Sequence, residues 1–156
     1  MNVVTLMLGT EMMAIPAECL REILEPVPIT RVPQAGKFAA GLINVRGAVV
    51  PLTDLRVALG VTIDPATEDT RMLVLEVPLG GAMGVVAILA DKVLDVTELD
   101  TSNIEAIPSV GVRWPPDFLR GMTKLNEEFV ALPDLETIFA ASATIGVVAG
   151  ATDEGH

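Results

Sequence analysis

The chain repeats itself at a fixed offset. Phe38, Gly41, Val50, Leu52, Asp54 and Leu55 return as Phe118, Gly121, Val130, Leu132, Asp134 and Leu135, every pair separated by the same interval. A fainter echo precedes it. Ile15, Glu18, Leu20, Glu22 and Ile23 return as Ile88, Asp91, Val93, Asp95 and Val96, again at one constant interval, slightly shorter than the first. The intervals differ because the second copy carries a longer loop around Ile107 to Pro116. Apolar strands resemble one another cheaply, but Phe-x-x-Gly spacing and an Asp-Leu pair in register are more than shared hydrophobicity. The repeat reads as one β unit used twice, its copies packed as a pair.

Short apolar runs punctuated by turn residues fill both copies. Val3–Leu8 and Met12–Ile15 read as strands, and Ala17–Leu24 as a short helical turn leading into a strand. Gly41–Val45 and Ala48–Thr53 flank Arg46-Gly47, and Asp54–Leu59 reads as a helical turn stopped by Gly60. Val61–Thr70 is a polar loop containing Pro65. Arg71–Val77 and one long strand over Val85–Val96 flank a glycine-rich stretch from Gly80 to Gly84. That stretch lies between strands, where a hairpin turn favours glycine, so it reads as a turn and not as a ligand loop. Thr101–Pro116 is irregular. Arg120–Leu125 and Glu128–Leu132 form a hairpin through Asn126-Glu127, and Asp134 caps a helix over 134–141. Many short strands with regular turns predict an all-β barrel or sandwich. The tail over 142–156 reads as flexible, and Met1 at the start favours a complete chain.

Composition narrows the function. The net charge is −11, so phosphate backbones and anionic lipid surfaces repel the chain. Half the residues are apolar, yet Tyr is absent and Trp occurs once, so a binding surface is aliphatic and not an aromatic groove. Cys19 is the lone cysteine, which precludes an intrachain disulfide and fits a reducing compartment. No charged n-region precedes an apolar run at the N-terminus, as a signal peptide requires. The longest apolar stretch, Ile138 to Ala151, is about 14 residues, short of the roughly 20 a membrane helix needs.

Reactive chemistry is missing. His156, the only histidine, is the last residue, which removes histidine-based triads and zinc sites. Neither GxxxxGK[ST] nor GxGxxG occurs, so no phosphate cradle is signalled. No EF-hand-like run of carboxylates is present. The chain reads as a non-enzyme without cofactor or metal. What remains is binding. Glu22 stands among apolar residues in Leu20-Arg21-Glu22-Ile23, and Arg46 stands at the bend of an apolar hairpin. The plain alternatives are a strand-face charge in water and an ordinary exposed hairpin arginine.

Gly41-Leu-Ile-Asn-Val-Arg-Gly-Ala-Val-Val-Pro-Leu-Thr-Asp-Leu-Arg56 resembles the signature of the CheW family of chemotaxis coupling proteins: Asn-aliphatic-Arg-Gly, an aliphatic strand, Pro, then Asp-Leu-Arg. Ala14-Ile15-Pro16, Arg21-Glu22-Ile23, Pro33, Ala90-Asp91-Lys92-Val93, Phe118–Gly121 and Asp134-Leu135-Glu136 extend the resemblance from about Val3 to Phe139. Each signature piece has a physical reason. Gly47 permits a positive φ beside Arg46. Pro51 fits an edge or bulge where no N–H is needed. Asp54 caps the turn that follows. Pro133, where an aliphatic residue is commoner, implies that its strand ends one residue early.

The resemblance implies two packed five-stranded SH3-like barrels with a short C-terminal helix. It covers one CheW-like domain over 1–141, split into subdomains of about 1–68 and 69–141, with strand exchange between them left open. It further implies an adaptor that joins methyl-accepting chemoreceptors to the regulatory domain of a CheA-type histidine kinase. Such an adaptor is cytoplasmic and held at receptor arrays through its partners. The receptor-facing residues implied are Leu20, Glu22, Arg46, Arg71 and Val96, with Arg71 at a position usually aliphatic. The kinase-facing residues implied are Ile29, Thr30, Ala39, Ala40, Gly41 and Gly47. The same adaptor role in a pilus, gliding or surface-sensing pathway, and a small ligand-binding or hydrolytic barrel, are the alternatives.

Overall fold

The computed structural model of the chain describes residues 1–32, 39–100, 102 and 118–140. Pro33, Phe38, the tail over 142–156 and all of the stretch Thr101–Pro116 but Ser102 lie outside them. Ten strands run in chain order: β1 (Asn2–Leu8), β2 (Glu11–Pro16), β3 (Leu20–Leu24), β4 (Ala39–Val45), β5 (Ala48–Thr53), β6 (Arg71–Leu79), β7 (Ala82–Ala90), β8 (Lys92–Glu98), β9 (Leu119–Leu125) and β10 (Glu128–Pro133). A 3-10 turn (Ala17–Cys19) precedes β3, helix α1 (Leu55–Leu59) follows β5, and helical backbone across 135–140, here α2, follows β10.

The strands form two five-stranded sheets, ordered β8-β1-β2-β10-β9 and β3-β6-β7-β5-β4. The first sheet takes strands from both ends of the chain, and the second takes the five consecutive strands between them. The hairpin β1–β2 is completed by β8, β9 and β10, while β6–β7 is completed by β3, β4 and β5. The two sheets are copies. In each, a hairpin pairs with the third strand on one side and, through a parallel contact, with a second hairpin on the other: Leu52 beside Ala87, and Ala131 beside Met13. Even the irregularities repeat. Gly41 faces Leu52 and the β4–β5 register then shifts; Gly121 faces Leu132 and the β9–β10 register shifts at the same point. The fold is thus the expected pair of SH3-like barrels with few helices.

Side-chain alternation explains why β1 and β6 carry apolar residues at successive positions, Leu6 to Leu8 in one and Met72 to Leu75 in the other. Both faces of each strand are covered, as in a buried sandwich strand. In β6, Leu73, Leu75 and Val77 enter a large core shared by both sheets, while Met72 and Val74 fill the interior of the second barrel with Ile43, Val45, Val50, Leu52 and Ala87. In β1, Val4, Leu6 and Leu8 enter the shared core and Val3 fills the first barrel with Ala14, Val130 and Leu132. Helix α1 and residues Leu135, Ile138 and Phe139 of α2 seal the shared core. Each such fully buried aliphatic side chain is worth about 1.5–3 kcal/mol over leaving it in water, so the joint between the barrels is the main store of apolar burial.

Two expectations need correction. The long strand over Val85–Val96 is two strands in different sheets, broken at Asp91. The apolar residues continue past the break, although β8 is at most half-buried along its length. β10 does not stop short of Pro133. Pro133 is its last residue, opposite Leu119 across the bulge, where the ladder asks no N–H of it. Pro51 behaves similarly. Leu42, which faces it, gives both its N–H and its C=O to Thr30 at 2.8 Å, so the Leu42–Pro51 pair exchanges no hydrogen bonds.

The second barrel closes at the seam between its outer strands. Thr30, beyond β3, makes its two backbone bonds to Leu42 on β4. Glu22 on β3 takes an ion pair from Arg46 at the end of β4.

Candidate functional site

The β4–β5 turn places its charge by backbone geometry. Arg46 has φ 53° and Gly47 φ 87°, the two left-handed residues of a tight hairpin turn. The Gly47 N–H donates to Asn44 Oδ1 at 2.9 Å, which locks the bend. From it, Arg46 Nε donates to Glu22 Oε1 at 3.1 Å and Nη2 to the same oxygen at 2.9 Å. Hydrogen bonding to Glu22 raises the guanidinium pKa above its already high ordinary value, so Arg46 is cationic at every physiological pH. The Arg46 side chain is 79% exposed and that of Glu22 only 23%. The carboxylate therefore orients the fork, and the fork faces water. Aliphatic surface lies on β3 and β5: Ile23 is 43% exposed and Val49 66%.

The other sequence-predicted receptor-facing residues are distributed over both sheets. Leu20 opens β3, is half-buried and packs on the shared core. Arg71 opens β6 and turns back on its own loop, where Nη1 donates to the Glu68 and Thr70 carbonyls at 2.9 and 2.8 Å. Val96 lies on β8, in the other sheet, opposite Val4 and 67% exposed. Only Glu22 and Arg46 of this set touch.

The predicted kinase-facing residues gather at the far end of β4. Ile29 and Thr30 lie against Gly41: a Cβ on Gly41 would stand 2.4 Å from the Thr30 carbonyl oxygen and 2.7 Å from Ile29 Cγ2. Only glycine allows this approach, and its φ of 144° demands glycine as well. Ala39 and Ala40 are the first two residues of the same strand. Gly47 stands apart in the turn beyond the other end of β4, beside Arg46.

Sequence reasoning did not anticipate the buried charges behind α1. Arg56 is 9% exposed. Its Nε and Nη2 grip the two oxygens of Asp54 at 3.0 Å each, and Nη1 reaches Asp91 Oδ1 at 2.9 Å and the Asp64 carbonyl at 3.1 Å. Asp54 also caps α1 through the Arg56 N–H at 3.0 Å. The signal was the Asp-Leu-Arg triplet with a charge inside an apolar helical turn, but nothing local revealed that Asp91 would meet it. A second unanticipated feature mirrors the first turn. Phe129, the counterpart of Val49 in the other copy, is 65% exposed, with Lys124 Nζ 5.4 Å from its ring centroid.

Among the described residues no cluster of three or more His, Cys, Asp or Glu side chains could hold a metal ion, and no helix is long and apolar enough to cross a membrane. Two copied barrels on one core, with an oriented charge pair and aliphatic surface at a hairpin tip, define a double-barrel docking protein.

The comparisons with known proteins agree. The CheW-like domain family matches residues 2–143. The chain is 32% identical over 137 residues to the chemotaxis protein CheW of Klebsiella aerogenes, covering 86% of this chain and 78% of that protein. It is 28% identical over 131 residues to CheW of Rhizobium meliloti, covering 84% and 82%. The crystal structure of the scaffolding protein TtCheW from Thermoanaerobacter tengcongensis superposes with a TM-score of 0.78 at 25% identity, covering 88% of this chain and 86% of that one. The chain belongs to the CheW-like family, a family of non-enzymatic scaffold proteins of chemotaxis.

Proposed function

We propose that this scaffold couples methyl-accepting chemoreceptors to the regulatory domain of a CheA-type histidine kinase, and sits at receptor arrays through those partners. The observation that carries the reading is the Glu22–Arg46 pair. It is formed before any partner arrives, so a receptor helix meets a fork already aimed. Nε and Nη2 are engaged with Glu22, and among the described residues Nη1 has no partner. A carboxylate or a helix-terminal carbonyl on the receptor is the complementary group. Ile23, Val49 and Leu20 supply aliphatic contact for the apolar stripe of that helix. Val96 extends the contact to the first sheet. Arg71 contributes its aliphatic stem, since its head group is held by its own loop.

The kinase side is the patch of Ile29, Thr30, Ala39, Ala40 and Gly41, small and uncharged as a surface packed against another β-barrel must be. Gly47 serves this reading indirectly, by fixing the other end of the same hairpin. Weak contacts on each face become firm when many copies sit in one lattice.

The test is binding of a receptor tip to Arg46→Ala. Affinity falls about 5–150-fold, the scale of a charged hydrogen-bond partner lost, while the affinity for the kinase regulatory domain is unchanged. An unaltered receptor affinity refutes the role of Arg46.

A further inference from the structure

We infer that the Arg56–Asp91 pair is a positioning pin that fixes the orientation of one barrel against the other. On the coupling reading above, it thereby keeps the receptor-facing residues of the two sheets in register. Asp91 lies where the chain leaves β7 in the second sheet for β8 in the first. Its bonds reach to both sides of that joint. Its N–H donates to the Met7 carbonyl at 2.9 Å, and its Oδ2 accepts from the Gly9 N–H at 2.6 Å, both in the first sheet's opening hairpin. Its Oδ1 accepts from Arg56, which belongs to α1 behind the second sheet. Gly9 is pressed into the same joint: a Cβ there would stand 2.7 Å from Val61 Cγ1 and 3.0 Å from the Thr62 carbonyl oxygen.

The shared apolar core supplies adhesion between the barrels, but apolar attraction is non-directional and leaves sliding inexpensive. A guanidinium bonded to two carboxylates and a carbonyl permits one geometry. Replacing a buried ion pair of this kind by apolar residues is often neutral or stabilising, and fixing a geometry is a better-attested reason for keeping one. The repeat sharpens this. At the other crossing, from β2 to β3, Glu18 stands in the place of Asp91, and Glu136 is the repeat counterpart of Arg56. Two carboxylates cannot form the same bridge, so the pin is built at one crossing and its counterpart cannot be. The receptor-facing set depends on the joint, because Glu22 and Arg46 are on the second sheet and Val96 is on the first.

The test uses the full chain with Cys19→Ala and spin labels at Val49→Cys and Phe129→Cys, the exposed and repeat-related positions on the two barrels. Asp91→Asn cuts the link to Arg56 while its amide oxygen still accepts from Gly9; Arg56→Lys keeps the charge and loses the fork. Ile43→Val, inside the second barrel and away from the joint, controls for lowered stability alone. The expected result is a distance distribution broadened about twofold in Asp91→Asn and in Arg56→Lys but not in Ile43→Val. In parallel, with Asp91→Asn and Arg56→Lys made in the unlabelled chain that keeps Val49 and Phe129, kinase stimulation in the three-component assembly falls about tenfold while each binary affinity stays within about threefold. A distribution as narrow as the parent's in either folded pin variant overturns the inference, and so does equal broadening in Ile43→Val. Full stimulation in a broadened variant overturns the link to coupling. A parent protein that binds neither partner overturns the coupling reading instead, and the distance distributions still decide the pin.

Discussion

Gly41→Ala tests the seam of the second barrel. The added methyl meets the Thr30 carbonyl oxygen at 2.4 Å, so that segment must retreat by about 1 Å to reach ordinary contact. The retreat breaks the two 2.8 Å bonds between Thr30 and Leu42, each worth about 0.5–1.5 kcal/mol net. The backbone, held at φ 144°, adds about 1–3 kcal/mol for a residue with a side chain. Together these give a loss of about 2–6 kcal/mol. Gly47→Ala is the internal comparison. Its φ is also positive, at 87°, but no atom lies within 4 Å of the added methyl, so it carries only the conformational cost of about 1–2 kcal/mol. Urea unfolding with a common m-value reads both. The reasoning is refuted if Gly41→Ala costs no more than Gly47→Ala. On the coupling reading, the folded fraction of Gly41→Ala also loses affinity for the kinase regulatory domain, because Ile29 and Thr30 are displaced.

Two further outcomes follow from the same geometry. Glu127 has φ 72° at the position that Gly47 occupies in the other copy, so Glu127→Gly stabilises by about 1 kcal/mol; a destabilised variant in thermal melts contradicts the strain assigned to that turn. Burial pushes the Cys19 thiol up, with neighbouring Glu18 acting in the same direction. A raised pKa leaves less thiolate at a given pH, so Cys19 reacts with iodoacetamide more slowly than a free thiol at pH 8 and gains rate above the ordinary thiol range; a rate equal to that of the urea-unfolded chain contradicts the burial.

Much of the fold was legible because the repeat constrains it twice. The β4–β5–α1 and β9–β10–α2 units were readable from one offset, with Asp54 and Asp134 each accepting from the backbone of the helix it precedes. The exchange of strands was not determined by pattern. A strand that alternates correctly serves either barrel equally, and Val85–Val96 shows it: Asp91-Lys92 interrupts the apolar run, but a charged pair does not reveal that the chain changes sheets there. Of the site, the left-handed turn at Arg46-Gly47 was legible from its glycine. The contact between Glu22 and Arg46, 24 residues apart, depends on barrel closure and was not anticipated; the resemblance implied only that both residues are receptor-facing. Arg56 was hidden for the opposite reason: charged residues are ordinarily read as exposed, and its burial depends on two carboxylates, one of them brought from a distant strand crossing.

The most direct measurement is kinase autophosphorylation on vesicles bearing receptor cytoplasmic tips, with the chain added or withheld. The account predicts that the kinase sediments with the vesicles and gains activity only when the chain is present, and that Arg46→Ala abolishes the gain while the chain still binds the kinase. Kinase recruitment and activity that are the same with and without the chain would contradict it.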